Sequence, residues 1–104
     1  MSILFLRKVS RAAMRFWAKI WKNNHLKRDH TLEISGGESR TIKIFHALEE
    51  CCAALNLPVP IWLGNNVKDF QRIAKTRFRQ DSFIEEIDFD YLEFQVIEED
   101  HTAG

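Results

Sequence analysis

The residues best suited to chemistry in this chain are carboxylates near its C-terminus. Asp88 and Asp90 lie two residues apart in an alternating segment, and Glu93 follows them. Residues two apart on a β-strand share a face, and paired carboxylates on one face can hold Mg²⁺ for phosphoryl transfer. However, no lysine follows Lys75, and no recognisable motif supplies an acid further upstream. We therefore expect no enzyme, and we interpret these carboxylates as an acidic surface that faces either a basic partner or solvent.

Basic residues that could contact phosphate or acidic groups are concentrated at the opposite end of the chain. Residues 1–28 contain eight Lys and Arg and no Asp or Glu. Together with neighbouring aromatic residues, these cations could bind a phosphate backbone and stack on bases, or lie on an anionic membrane. An acid-free, Arg-rich start is also typical of mitochondrial presequences, but such a charge run is usually a solvated face. The candidates from this segment are Arg15, Lys19 and Lys22.

A second basic group has the spacing of one helical face. Its four cations are separated by four, three and four residues, and they are Lys68, Arg72, Lys75 and Arg79. Helical residues three and four apart are neighbours, so this group could form a patch that faces phosphate or acidic groups. The alternatives are the solvent face of an amphipathic helix that buries Phe70, or an internal partner for the acidic strand.

The two cysteines of the chain, Cys51 and Cys52, are adjacent. Neighbouring helical residues point about 100° apart, so a disulfide between them is geometrically poor. No His and Cys pair has the spacing of zinc ligands, and there is no glycine-rich phosphate loop. We expect no disulfide framework, no metal and no cofactor, and reduced thiols favour a cytoplasmic location.

Trp62 stands in the proline-flanked segment of residues 60–63. Tryptophan is enriched at interaction hot spots, so Trp62 could anchor a partner. The alternative is that it fills the core between two helices, because a domain this small needs its aromatic residues for burial.

Length and charge restrict the class of protein. A chain of 104 residues forms one domain, and no apolar run approaches the roughly 18 residues of a membrane-spanning helix. The net charge is zero, from 15 basic and 15 acidic residues. That sum conceals +8 over residues 1–28 and −8 over residues 29–104, where seven basic residues accompany fifteen acidic ones. Such a separation of positive from negative charge along the chain is a better indication of an interaction surface than the net charge is.

The elements that must position these residues follow from the periodicity of the sequence. Residues 15–22 fit two patterns: part of an amphipathic helix over residues 1–22, or a strand in which Trp17 and Lys19 alternate with apolar neighbours. Aromatic and β-branched content favours the strand. Residues 23–24, both Asn, tolerate the left-handed angles of a tight turn and favour a hairpin across residues 15–34.

Two helices and a strand are predicted further along the chain. Phe45, Leu48 and Cys52 repeat at helical spacings of three and four, which predicts the apolar face of a helix over about residues 39–56. A second helix is predicted over about residues 66–77, with Asn66 as its N-cap. Alternation predicts a strand over residues 86–97. Its apolar side switches at Tyr91, so the strand either carries a bulge there or has its two halves covered on opposite faces.

Together these elements predict an α+β domain. It consists of an N-terminal β-hairpin, two helices packed on one face of a small antiparallel or mixed sheet, and a C-terminal acidic strand. Residues 1–13 are predicted to be an extension, residues 14–100 the domain, and residues 101–104 a frayed tail.

The order of motifs resembles that of a group of short bacterial proteins of the clostridial type, over roughly residues 14–100. The motifs that carry the resemblance are MRFWAKIWKNN from residue 14, FHALEECC from residue 45, PIWL from residue 60, KTRF from residue 75 and DSFIEEIDFDYLE from residue 81. The resemblance implies that the shared domain starts near Met14, which favours the strand for residues 15–22. It implies no activity.

The strong segregation of charge, without a catalytic constellation, predicts a small non-enzymatic interaction or regulatory protein. It would dock on another protein through the charged sheet face or the basic helix patch. The alternative is a nucleic-acid-binding module that uses the basic N-terminal segment and the second helix, and a membrane surface is the least favoured partner.

Overall fold

The computed structural model describes residues 13–99, so the predictions for residues 1–12 and 100–104 lie outside the described residues. The elements, in chain order, are β1 (Met14–Lys22), β2 (His25–Ile34), α1 (Arg40–Leu55), α2 (Gly64–Ile73), β3 (Lys75–Phe78), a 3₁₀ turn (Gln80–Ser82) and β4 (Tyr91–Glu99). No helix among these residues is both long enough and apolar enough to cross a membrane.

The strands form one four-stranded sheet in the order β2-β1-β4-β3, and every neighbouring pair is antiparallel. Helix α1 packs against β2 and β1, and α2 packs against β3. The predicted α+β architecture of a hairpin, two helices and a C-terminal strand is therefore confirmed, with the antiparallel form of the sheet.

The β1–β2 hairpin turns at Asn23 and Asn24, whose φ angles are 53° and 64°. Asparagine reaches this left-handed region more easily than most residues, so the turn follows from local sequence. Along β1 the side chains of Phe16, Ala18 and Ile20 are buried, and the intervening residues lie on the other face of the sheet. The strand prediction for residues 15–22 is confirmed, and the helical alternative is wrong there.

Aromatic rings form the centre of the core between the helices and the sheet. Phe16 on β1 stacks on Phe94 of β4 at 5.5 Å between ring centroids, and Phe94 stacks on Phe70 of α2 at 5.7 Å. Helix α1 contributes an apolar face that includes Leu48 and Cys52, both buried as the spacing predicted. Phe45, predicted to lie on that apolar face, is instead half-exposed at the groove between the helices.

The second helix differs from its prediction at both ends. It begins at Gly64 and ends at Ile73, and Ala74 follows it with a left-handed φ of 56°. Asn66 is not the N-cap, because it lies in the first turn, where its Oδ1 accepts a hydrogen bond from the Leu63 N–H at 2.9 Å. Residues 75–78 form β3 instead of a last helical turn. Their side chains alternate between the core and the opposite face of the sheet, and their backbone pairs with that of β4.

The acidic strand starts later than predicted. It begins at Tyr91, so residues 86–90 belong to the preceding loop. Gln80 closes this loop, because its Nε2 donates to the Glu85 carbonyl and its Oε1 accepts from the Ile87 N–H, both at 2.9 Å. The apolar side of the pattern therefore changes at residue 91 because the loop ends and the strand begins there. The prediction that Asp88 and Asp90 share one face of a strand is wrong.

Candidate functional site

The helices cover one face of the sheet, and charged residues line up in register across the other. Lys19 of β1 pairs with Asp29 of β2 on one side and with Glu93 of β4 on the other. Arg77 of β3 pairs with Glu93 in turn. Charges of alternating sign therefore cross all four strands on the uncovered face.

Glu93 is the centre of this row, with a side chain only 5% exposed. Its carboxylate oxygens lie 3.3 Å from Lys19 Nζ, 3.4 Å from Arg77 Nε and 3.8 Å from Lys75 Nζ. Trp21 Nε1 donates a hydrogen bond to it at 3.1 Å. Burial alone would raise the pKa of Glu93, but the Lys19 charge, the Lys19 and Trp21 hydrogen bonds and the Lys75 charge together hold the pKa below its ordinary value. The carboxylate is therefore ionised at neutral pH, and its negative charge attracts all three cations.

Lys19 is committed to contacts within the fold. Besides its ion pair with Glu93, its Nζ donates to Gln95 Oε1 at 2.8 Å and lies 4.0 Å from the ring centroid of Trp17. The Trp17 indole in turn donates to Asp29 Oδ2 at 2.8 Å. With 11% of its side chain exposed, Lys19 stabilises the sheet face and presents little charge to a partner.

A cleft of about 430 Å³ lies beside β3, at the edge of the sheet and next to the end of α2. Two carboxylates line it, Asp69 and Glu93. Four cations also line it, and we call this site the basic cleft: Arg72, Lys75, Arg77 and Arg79.

Each of the three arginines of the basic cleft contacts a neighbouring side chain. Arg72 Nη2 lies 3.5 Å from Asp69 Oδ1. The guanidinium carbons of Arg77 and Arg79 lie 4.6 Å and 5.0 Å from the ring centroid of Tyr91. Stacking on an aromatic ring is a favourable arrangement for a guanidinium group and leaves its N–H groups at the edge free to donate.

Three of the four cations predicted to share a helix face do come together, but for a different structural reason. Arg72 lies on α2, Lys75 on β3, and Arg79 immediately after β3. Lys68 is exposed on α2 and does not line the cleft. Arg77, which helical spacing excludes from the patch, joins the cleft because alternation along β3 places it on the same face as Lys75. The alternation in residues 75–78 was the signal that could have found it.

The other candidate cations lie apart from the basic cleft. Arg15 is half-exposed and pairs with Glu98 of β4 at 3.3 Å. Lys22, at the end of β1, is exposed. The basic N-terminal strand and the acidic C-terminal strand therefore satisfy part of each other's charge.

The candidate carboxylates do not form one site. Asp88 is exposed in the loop before β4, and Asp90 Oδ2 accepts a hydrogen bond from the Asn23 N–H at 2.8 Å. Glu93 is buried among cations. Within residues 13–99, no group of three or more His, Cys, Asp or Glu side chains is placed to hold a metal ion.

Trp62 contacts four aromatic rings at the junction of the two helices and the sheet. Its ring centroid lies 5.0 Å from that of Phe78 and 5.4 Å from that of Phe70, both in edge-on geometry. Phe45 and Phe94 lie at 6.0 Å and 6.4 Å. One side of Trp62 also lines a shallow apolar groove of about 230 Å³ between the helices. Its contacts favour the core role over that of an exposed anchor.

Both cysteines are buried free thiols on α1. Burial raises the pKa of Cys51 and of Cys52 to about 12. A thiol with such a pKa is protonated at neutral pH and is a poor nucleophile or metal ligand.

The fold and its site define a small α+β domain that carries a basic cleft at one edge of an antiparallel sheet. Comparison with family models, curated proteins and solved structures gives no significant match. The resemblance to clostridial-type proteins stays a prediction.

Proposed function

We propose that the protein is a small non-enzymatic docking protein that binds an acidic surface of another protein through the basic cleft. The observation that carries the proposal is the grouping of four cations around two carboxylates at a solvent-facing edge of the sheet. Such complementarity speeds encounter and selects partners. Two buried free thiols are consistent with a reducing cytoplasm as its location.

The surroundings of the basic cleft favour a protein over a nucleic acid. The loop that follows Arg79 exposes a set of carboxylates directly after the cleft in the chain: Asp81, Glu85, Glu86, Asp88 and Asp90. The last of them, Asp90, directly precedes Tyr91, whose ring lies against Arg77 and Arg79. Negative charge beside the cleft disfavours an extended phosphate backbone more than the small acidic patch of a protein. Within the described residues, Arg15 and Lys19 are already paired with acids of β4, which weakens the nucleic-acid alternative.

Capture experiments with matched charge variants test this proposal. The double variant Arg72→Gln/Arg79→Gln removes two charges from the cleft without touching a group that contacts Glu93. The control Lys22→Gln/Lys68→Gln removes two exposed charges outside the cleft. We expect the wild type and the control to capture the same protein from a lysate at low salt, and to release it at about 0.5 M salt, where exposed charges are screened.

The cleft variant is expected to capture markedly less of that protein. Equal capture by both double variants would contradict the proposal. Capture that disappears after nuclease treatment, together with a retarded species in a gel shift with single-stranded DNA at low salt, would instead establish the nucleic-acid alternative.

A further inference from the structure

The basic cleft holds a surplus of positive charge at close range. Each of its two carboxylates already has a cation beside it, with Asp69 at 3.5 Å from Arg72 and Glu93 at 3.4 Å from Arg77. Four cations against two carboxylates leave a surplus of two positive charges among the lining residues. Within residues 13–99, Arg79 makes no ion pair with a carboxylate.

The guanidinium groups of the cleft are partly ordered before any ligand arrives. Arg77 and Arg79 both lie against the ring of Tyr91, at 4.6 Å and 5.0 Å. Arg77 is also held through its Nε by Glu93. Because side chains that are already restricted lose less entropy on binding, such a pair of guanidinium groups suits a compact anion.

We propose, on the basis of the docking function above, that the basic cleft receives a phosphate monoester carried by a Ser or Thr side chain of the protein partner. A phosphorylated side chain carries a charge of about −1.5 to −2 at neutral pH, which matches the surplus in the cleft. A carboxylate would neutralise half of that surplus. Phosphate oxygens also accept paired N–H groups from the planar fork of a guanidinium.

The position of the cleft favours one isolated phosphate group on a protein. The cleft lies beside the edge strand β3, with a volume of about 430 Å³, so it can admit a side chain whose main chain remains outside. The acidic loop of residues 81–90 ends at Asp90, directly before Tyr91, whose ring lies against Arg77 and Arg79. Negative charge at this end of the cleft disfavours a second phosphate and therefore a polyanionic chain.

Titration by NMR with three probes tests the proposal: an acidic peptide with a central phosphoserine, the same peptide with serine, and inorganic phosphate. We expect the phosphopeptide to bind at least about tenfold more tightly than the serine peptide. Inorganic phosphate and the phosphopeptide should both shift the amide resonances of residues 75–79. Arg79→Gln should weaken phosphopeptide binding by about tenfold, and Lys22→Gln/Lys68→Gln should leave it unchanged.

Each other outcome has a distinct meaning. Equal affinities for the two peptides, both lost in Arg72→Gln/Arg79→Gln, would overturn the phosphate proposal and leave the docking function intact. Binding of inorganic phosphate without any preference for the phosphopeptide would also overturn it, because the source would then be a free phosphorylated molecule. If no probe binds and the cleft variant captures as much partner as the wild type, both the phosphate proposal and the docking function are wrong.

Discussion

On the face of the sheet that neither helix covers, Lys19 Nζ lies 3.3 Å from Glu93 Oε1, and both side chains are almost completely buried. This pair joins the basic N-terminal strand to the acidic C-terminal strand in register. Part of the charge asymmetry of the sequence is therefore satisfied inside the fold. Within residues 13–99, the basic cleft keeps more cations than carboxylates, and the loop of residues 81–90 exposes five carboxylates.

The substitution Glu93→Gln should destabilise the fold measurably. Glutamine keeps the size of the side chain but removes the negative charge that holds Lys19, Lys75 and Arg77 together. We expect the free energy of unfolding to fall by about 2 kcal/mol, the scale of a buried hydrogen bond to a charged group. Urea unfolding followed by tryptophan fluorescence measures this change.

The matched control is Glu98→Gln, on the same strand. Glu98 pairs with Arg15, and both side chains are largely exposed. Exposed ion pairs contribute little, so the expected loss is below about 0.5 kcal/mol. Similar losses for the two variants would show that burial of Glu93 does not strengthen its interactions.

The stability that Glu93 supplies should depend on pH in the acidic range. Its pKa in the folded protein lies below the ordinary value of 4.5, so the unfolded chain binds the proton more readily. The contribution is therefore complete above the ordinary pKa and is lost as the pH falls through the folded-state pKa. We expect the stability difference between wild type and Glu93→Gln to be constant above about pH 6 and to shrink below about pH 4.5. Urea titrations across this range measure it, and a difference that grows toward acid would refute the assignment.

The hairpin could be predicted from the sequence because its signals are local. Residues 15–22 fit a helix as well as a strand, but their aromatic and β-branched content favours the strand, and the two asparagines indicate the turn to the second strand. The end of α2 could not be predicted in this way, since Ala74 takes its left-handed φ without a glycine or proline to indicate it.

The start of β4 depends on a distant partner. Tyr91 pairs with Trp21, next to the end of β1, so the alternating residues before Tyr91 have no strand beside them. Their pattern is that of a strand, but they form a loop that packs Phe89 against Phe83 at 5.8 Å. For the basic cleft, helical spacing in the sequence grouped Arg72, Lys75 and Arg79 correctly but for the wrong reason. They lie close together because the end of α2 is next to the edge strand β3.

Asn66 connects α2 to the strand and turn that carry the basic cleft. It is 1% exposed, and its Oδ1 accepts from the Leu63 N–H at 2.9 Å and from the Ser82 hydroxyl at 3.3 Å. Its Nδ2 donates to Thr76 Oγ1 at 2.9 Å and to the Arg77 carbonyl at 3.0 Å. Since Asn66→Ala would leave buried groups unsatisfied, we expect it to cost about 3 kcal/mol in chemical unfolding.

The neighbouring residue provides the control for that substitution. Asn65 is exposed, so Asn65→Ala should change stability by less than about 0.5 kcal/mol. Equal effects at the two positions would indicate that the hydrogen bonds of Asn66 contribute no more than helix propensity.

Substitution of Trp62 separates its role in the core from a role in docking. Trp62→Phe removes volume among four aromatic rings and should lower stability by about 1–2 kcal/mol. Partner capture at a temperature where the variant is folded should equal that of the wild type, because Trp62 does not line the basic cleft. Ile61→Ala, at an exposed neighbour, is the control and should change neither quantity. Lost capture with unchanged stability would make Trp62 a docking anchor.

The thiols of Cys51 and Cys52 should be unreactive in the folded protein. Both are buried, and burial raises the pKa of each to about 12, so the nucleophilic thiolate is scarce at pH 8 as well as inaccessible. Alkylation by iodoacetamide, followed by mass spectrometry, should be at least about 100-fold slower in the native protein than in urea. Cys51→Ser and Cys52→Ser, tested singly, should each retain this protection at the remaining thiol. Native and unfolded rates that coincide would show that the face of α1 bearing these cysteines opens to solvent.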